Sequence, residues 1–88
     1  MAWRIELTAT AAKQLSRLGA VEARRITRFL RDRLASADDP RRLGRALTGP
    51  LGGLWRYRVG DYRVICEIRD DRLVVLVLRI AHRRDAYR

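Results

Sequence analysis

Cysteine, histidine and lysine each occur once in this chain of 88 residues, as Cys66, His82 and Lys13. A lone cysteine excludes an internal disulfide and fits a reducing cytoplasm. One histidine and one cysteine do not make a zinc site. The longest apolar run, Leu73 to Leu78, is strand-sized and far too short to span a bilayer. The N-terminal residues carry no signal-peptide pattern, so a cytoplasmic location away from any membrane is the expectation. Internal repeats and low-complexity linkers are missing too. The expectation is therefore a single domain over residues 1–88. A domain of this size buries only roughly 60–65% of the surface its unfolded chain exposes. Its core is thin enough that a stabilising partner fits.

Charge is what the chain has in excess. Twenty Lys plus Arg face ten Asp plus Glu, a net of +10. Such a field attracts polyanions. All of the basic residues but Lys13 are arginine, whose planar fork of donors suits phosphate. Genome composition accounts for the choice of arginine over lysine, but not for the excess.

Trp3, Ile5 and Leu7 alternate with Arg4 and Glu6, the pattern of a half-buried strand. Thr8 or Thr10 then caps a helix whose apolar stripe is Ala11, Ala12, Leu15 and Leu18, with Gly19 as its stop. A second helix is predicted from about Val21 to about Ala35, with Ile26, Phe29, Leu30 and Leu34 at helical spacing. Arg24, Arg28 and Arg31 fall on another of its faces. Such a row is usually solvated, although RNA or an acidic partner would also suit it. Asp38-Asp39-Pro40 ends the helical region. A Gly-rich stretch from Arg41 to Gly53 reads as an ordered loop anchored by Leu43, Leu47 and Leu51. Leu54 to Val59 and Tyr62 to Arg69 read as a hairpin around Gly60-Asp61, with Gly first as a type II′ turn wants. Leu73 to Ile80 is apolar on both faces, the mark of a central strand. The fold class is α+β: one strand, a helical hairpin, then a three-stranded antiparallel meander. The sheet is mostly antiparallel, with both helices on one face.

The hairpin register carries the sharpest inference. With Gly60-Asp61 as the turn, Val59 opposes Tyr62, Arg58 opposes Arg63, Tyr57 opposes Val64, Arg56 opposes Ile65 and Trp55 opposes Cys66. Opposed residues share a face. Trp55, Tyr57, Val64 and Cys66 therefore belong to the core under the helices, and Arg56, Arg58 and Arg63 to the other face. Arginines side by side repel one another, and a bound phosphate would favour the arrangement. Beyond the last strand, His82, Arg83, Arg84 and Tyr87 gather in a short tail. A bulge after Asp71 would swap the faces there, so the register argument stops before it.

The run Trp55-Arg56-Tyr57-Arg58-Val59-Gly60-Asp61-Tyr62-Arg63-Val64-Ile65, joined to His82-Arg83 and Tyr87, resembles the RelE/ParE superfamily of toxins. The likeness covers the whole chain. It implies the RelE-like α+β fold and a toxin of a type II toxin–antitoxin system that cleaves mRNA in the ribosomal A site. It implies no metal and no cofactor. By motif position it assigns the catalytic group to Arg56, Arg58, Arg63, Arg83 and Tyr87, with His82 beside them. Some relatives carry lysine where this chain has Arg56 and Arg58. The implied reaction is attack of the RNA 2′-OH on its neighbouring phosphate. Arginine suits charge stabilisation there but stays protonated; Tyr87 and His82 would then handle protons or stack on a base. The implied partners are a cognate antitoxin, the ribosome with its ribosomal RNA, and mRNA. Operator DNA is reached only through the antitoxin.

Two other readings stand beside this one. A ParE-like chain shares the fold and inhibits DNA gyrase without cutting RNA; the basic group and Tyr87 favour RelE. A toxin-like domain that binds nucleic acid by charge alone would be steeply salt-dependent and leave no cut product.

Overall fold

The computed structural model describes residues 2–85; Tyr87 lies outside them. Strand β1 (Arg4–Leu7) leads into helix α1 (Ala9–Ser16) and helix α2 (Ala20–Arg28), which runs on as a π-helical turn, Phe29–Leu34. A 3-10 turn (Pro40–Leu43), the two-residue strand β2 (Arg45–Ala46) and a second 3-10 turn (Gly49–Leu51) follow. Strands β3 (Trp55–Val59), β4 (Tyr62–Arg69) and β5 (Val74–His82) complete the described fold. The sheet order is β1-β5-β4-β3-β2, with β1 parallel to β5 and the other pairs antiparallel. This is the α+β architecture expected, with β2 added at one edge.

The core lies between the helices and one sheet face. Ile26, Leu30, Leu34 and Ala11 pack over Tyr57, Val64, Cys66, Val75, Val77 and Ile80. Trp55 is half-buried at its margin. Burial pushes the Cys66 thiol up to about 12. It is therefore a protonated core residue rather than a nucleophile. The β3–β4 register matches the sequence prediction pair for pair, from Val59↔Tyr62 to Trp55↔Cys66. Gly60 has φ +60° and Asp61 is not in the left-handed region, as a type II′ turn requires.

Of the two threonines expected as caps, Thr8 is the one: its Oγ1 accepts the Ala11 N–H at 3.1 Å. Two local readings change. Helix α1 ends before Gly19, whose extended backbone instead opens α2. Leu43 packs against the core, but Leu51 is exposed and anchors nothing. Leu51 closes the short 3-10 turn Gly49–Leu51, which buries none of its residues.

Strand β5 holds the feature that sequence parity could not reach. A bulge shifts its register between Ile65 and Cys66 of β4, so Val77 opposes Cys66 while Arg79 opposes Ile65. Leu78 is the extra residue. Strand β1 stops at Leu7, opposite Val77, so β5 beyond that point has no strand on that side. Helix α1 and its cap replace it. Thr8 Oγ1 donates to the Leu78 carbonyl at 3.0 Å, and Gln14 Oε1 accepts the Ile80 N–H at 2.6 Å. The polar groups freed by the bulge are thus satisfied, as half-buried backbone must be.

Candidate active site on the open face

The face away from the helices collects arginine from four strands. One row across the sheet reads Arg45, Arg56, Ile65, Arg79; the next reads Arg58, Arg63, Ala81. Arg45 opposes Arg56 directly, and Arg58 opposes Arg63. Like charges directly opposed in a sheet are destabilising. Arg83 extends the group: its main-chain N–H donates to the Asp61 carbonyl at 2.8 Å, which fixes it beside the hairpin turn. Ile65, between Arg56 and Arg79, is only 4% exposed and sets an apolar floor within the arginine row.

Carboxylates sort the arginines into two populations. On the same face but at the other end of the sheet, Arg4 pairs with Glu6 at 2.9 Å and Arg69 pairs with Glu67. Arg41 is held by Asp39 and Asp70. Among the described residues, Arg45, Arg58 and Arg83 have no carboxylate partner. Their charge is left to face solvent, or an anion.

The loop bearing Arg42 and Arg45 is pinned from three sides. Tyr57 Oη, buried, donates to the Pro40 carbonyl at 2.8 Å. Burial raises its phenol well above the usual tyrosine range, so it stays a donor. Gly44 lies flat on β3, where a Cβ would stand 2.6 Å from the Arg56 carbonyl oxygen and 2.8 Å from the Tyr57 ring. Arg41 spans to Asp70 with two guanidinium nitrogens and lies over the Trp55 ring at 5.9 Å. Together these contacts shape a groove of about 390 Å³ lined by Arg42, Leu43, Gly44, Arg45, Arg56 and Arg58.

The Arg41 latch is acid-labile. Its hydrogen bond to Asp70 holds that carboxyl below the usual aspartate range. A depressed carboxyl contributes its stability above the unfolded-state value and loses it as pH falls through the folded-state value. Arg41 keeps its proton throughout, so Asp70 sets the window. We expect Trp55 fluorescence to change on the acid side of the aspartate range, and Asp70→Asn to remove that transition. The same titration in both proteins would show that the latch does not hold the loop.

The sequence-predicted residues divide by face. Arg56, Arg58 and Arg63 stand on the open face, and Arg83 lies at its end. His82 opposes Tyr62 on the helix side; their rings meet edge-on at 5.6 Å. Its Nδ1 accepts the Arg84 N–H at 3.3 Å, inside the turn that folds the tail back. Two residues escaped the sequence reading. Arg45 sits on a strand too short to show alternation, and Arg79 reaches the open face only through the bulge. Arg79 Nη2 donates to the Asp85 carbonyl at 2.7 Å, which draws the tail towards the arginine rows.

A basic sheet face, backed on its other side by a helical hairpin, defines a small anion-handling domain, and comparison with known proteins places it. Residues 5–87 match the family described as the ParE toxin of type II toxin-antitoxin systems. The chain belongs to the RelE/ParE toxin superfamily. It is 38% identical over 86 residues to Toxin RelE of Mycobacterium tuberculosis, covering 98% of this chain and 87% of the relative. It is 32% identical over 88 residues to Toxin RelG of the same organism, covering 100% of this chain and 99% of the relative. A chain of the M. tuberculosis toxin-antitoxin complex RelBE2 superposes with a TM-score of 0.81 at 28% identity. That match covers 93% of this chain and 99% of that one.

Proposed function

We propose that this toxin is a ribosome-dependent endoribonuclease that stops translation by cutting mRNA. The observation that carries the reading is the pair of arginine rows on the open face, with Arg83 closing their end. In the reaction proposed, the RNA 2′-OH loses its proton and its oxygen bonds to the neighbouring phosphorus. The bond to the 5′ oxygen breaks, and that oxygen takes up a proton. The products are a 2′,3′-cyclic phosphate and a free 5′-hydroxyl. Arg56, Arg58, Arg63 and Arg83 hold the phosphate and stabilise the charge of the phosphorane.

Tyr87 and His82 are the proposed proton-handling groups. His82 stands on the helix side of the sheet, away from the arginine rows, so the larger share of proton transfer is assigned to Tyr87. Tyr87→Phe is expected to lower cleavage by about 10²–10⁴-fold, the usual worth of a general acid or base. His82→Ala falls well short of that loss, because its ring packs on Tyr62 and its Nδ1 serves the tail turn. Full activity in both variants would remove proton transfer by either side chain.

The superposed RelBE2 chain comes from a toxin–antitoxin complex. By that likeness this toxin is neutralised by a cognate antitoxin, which also carries any contact with operator DNA. Primer extension on a defined mRNA, with and without programmed ribosomes, tests the main reading. Cuts that require the ribosome support it. The ParE description of the matching family keeps gyrase inhibition as the second reading. Absence of any cut, with loss of DNA supercoiling by gyrase, would establish that one instead.

A further inference from the structure

We infer that the groove between α2 and the β3–β4 hairpin is a second anion site, and that it receives the substrate RNA strand as it leaves the open face. The inference rests on the RNA-directed reading above. The groove measures about 610 Å³ and is lined by Arg24, Arg25, Arg28, Arg33 and Arg58; two carboxylates sit against these five arginines, Asp32 in the lining and Glu22 at 3.9 Å from Arg25. Arg31, which the sequence groups with Arg24 and Arg28, points elsewhere and borders the groove beside β1.

Arg58 joins the two sites. It lines both this groove and the arginine groove of the open face. Strand β2 pairs with β3 only at Trp55 and Arg56, so Arg58 lies on an uncovered stretch of strand edge. A strand whose phosphate is held on the open face can pass over Arg58 to the helix side without meeting another sheet strand. Arg24 and Arg28, one helical turn apart, are separated by about 6 Å along the axis. That is close to the spacing of successive phosphates along an extended strand. Arg33 lies over the Phe29 ring at 5.9 Å, presenting a guanidinium plane on which a base can stack.

The competing occupant is an acidic protein segment. The other large groove, beside β1, is lined by Trp3, Ile5, Leu7, Leu15 and Leu30, the chemistry an amphipathic polypeptide takes. The α2 groove offers guanidinium instead, which favours a phosphodiester chain.

The test is fluorescence anisotropy of the intact toxin with RNA that is 2′-O-methylated throughout and so cannot be cut. A 3-mer and a 12-mer are titrated over a range of salt. R24Q/R28Q is compared with R17Q/R72Q, which removes the same charge from exposed sites outside both grooves. For the 12-mer, R24Q/R28Q should flatten the salt dependence of log K by about 1.4, two single-strand phosphate contacts at about 0.7 each. The 3-mer and the R17Q/R72Q variant should keep the wild-type slope. An unchanged 12-mer slope, an equal change in both variants, or a change already present with the 3-mer overturns the inference. So does loss of binding to a Glu-rich peptide with 12-mer binding retained. Ribosome-dependent cleavage by the wild type is read separately. If cleavage is intact and the slope unchanged, only the groove assignment fails; without cleavage, the reading beneath it fails.

Discussion

Arg83→Ala is expected to lower ribosome-dependent cleavage by about 10²–10³-fold, the cost of removing one preorganised donor from a developing oxyanion. The fold should not notice. Arg83 is exposed, and among the described residues its one tertiary hydrogen bond runs from the main-chain N–H to the Asp61 carbonyl, which alanine keeps. Exposed substitutions of this kind change stability by no more than about 0.5 kcal/mol. Removing one charge from a group of neighbouring arginines also relieves repulsion, so the melting temperature should hold or rise slightly. Activity and stability should therefore part company. A melting temperature that fell with activity would mean that Arg83 is structural. Unchanged cleavage would take Arg83 out of the phosphate site.

Gly44→Ala should do the opposite and lower both together. The position has φ −134°, which any residue adopts, so backbone freedom is not the reason for glycine there. The reason is space. The added methyl would lie 2.6 Å from a backbone oxygen of β3 and 2.8 Å from the ring of buried Tyr57. Neither can swing aside, because one is sheet backbone and the other is fixed by its bond to Pro40. Overpacking of this kind costs about 1–3 kcal/mol. For a domain of this length each kcal/mol is worth about 4–8 °C in melting temperature. The loop would lift from β3 and take Arg42 and Arg45 with it, so the surviving folded protein should bind RNA more weakly as well. A variant with wild-type melting and cleavage would show that β3 yields, and that the loop does not define the groove.

Much of this molecule is legible in its sequence because its signals are local. Alternation in β3 and β4, and a turn that demands glycine first, fix the hairpin register and hence the face of Arg56, Arg58 and Arg63. Helical spacing fixes Ile26, Leu30 and Leu34 as the roof of the core. What local signals could not supply depends on neighbours distant in the chain. Arg45 reaches the site because two residues pair with β3, too few for any periodic pattern. Arg79 joins the arginines, and His82 leaves for the helix side, because a bulge at Leu78 reverses the parity of β5. That bulge persists because Thr8 and Gln14, about seventy positions upstream, donate and accept, respectively, the hydrogen bonds it strands. The grouping of helix arginines likewise divides only when the hairpin packs beneath α2, with Arg24 and Arg28 towards Arg58 and Arg31 towards β1. Sequence by itself determined the class of fold, the excess of positive charge and the three arginines that share the open face of β3 and β4. Tertiary structure decided which further arginines share that face, because opposed strands and satisfied backbone groups, unlike alternation, are properties of contacts between segments.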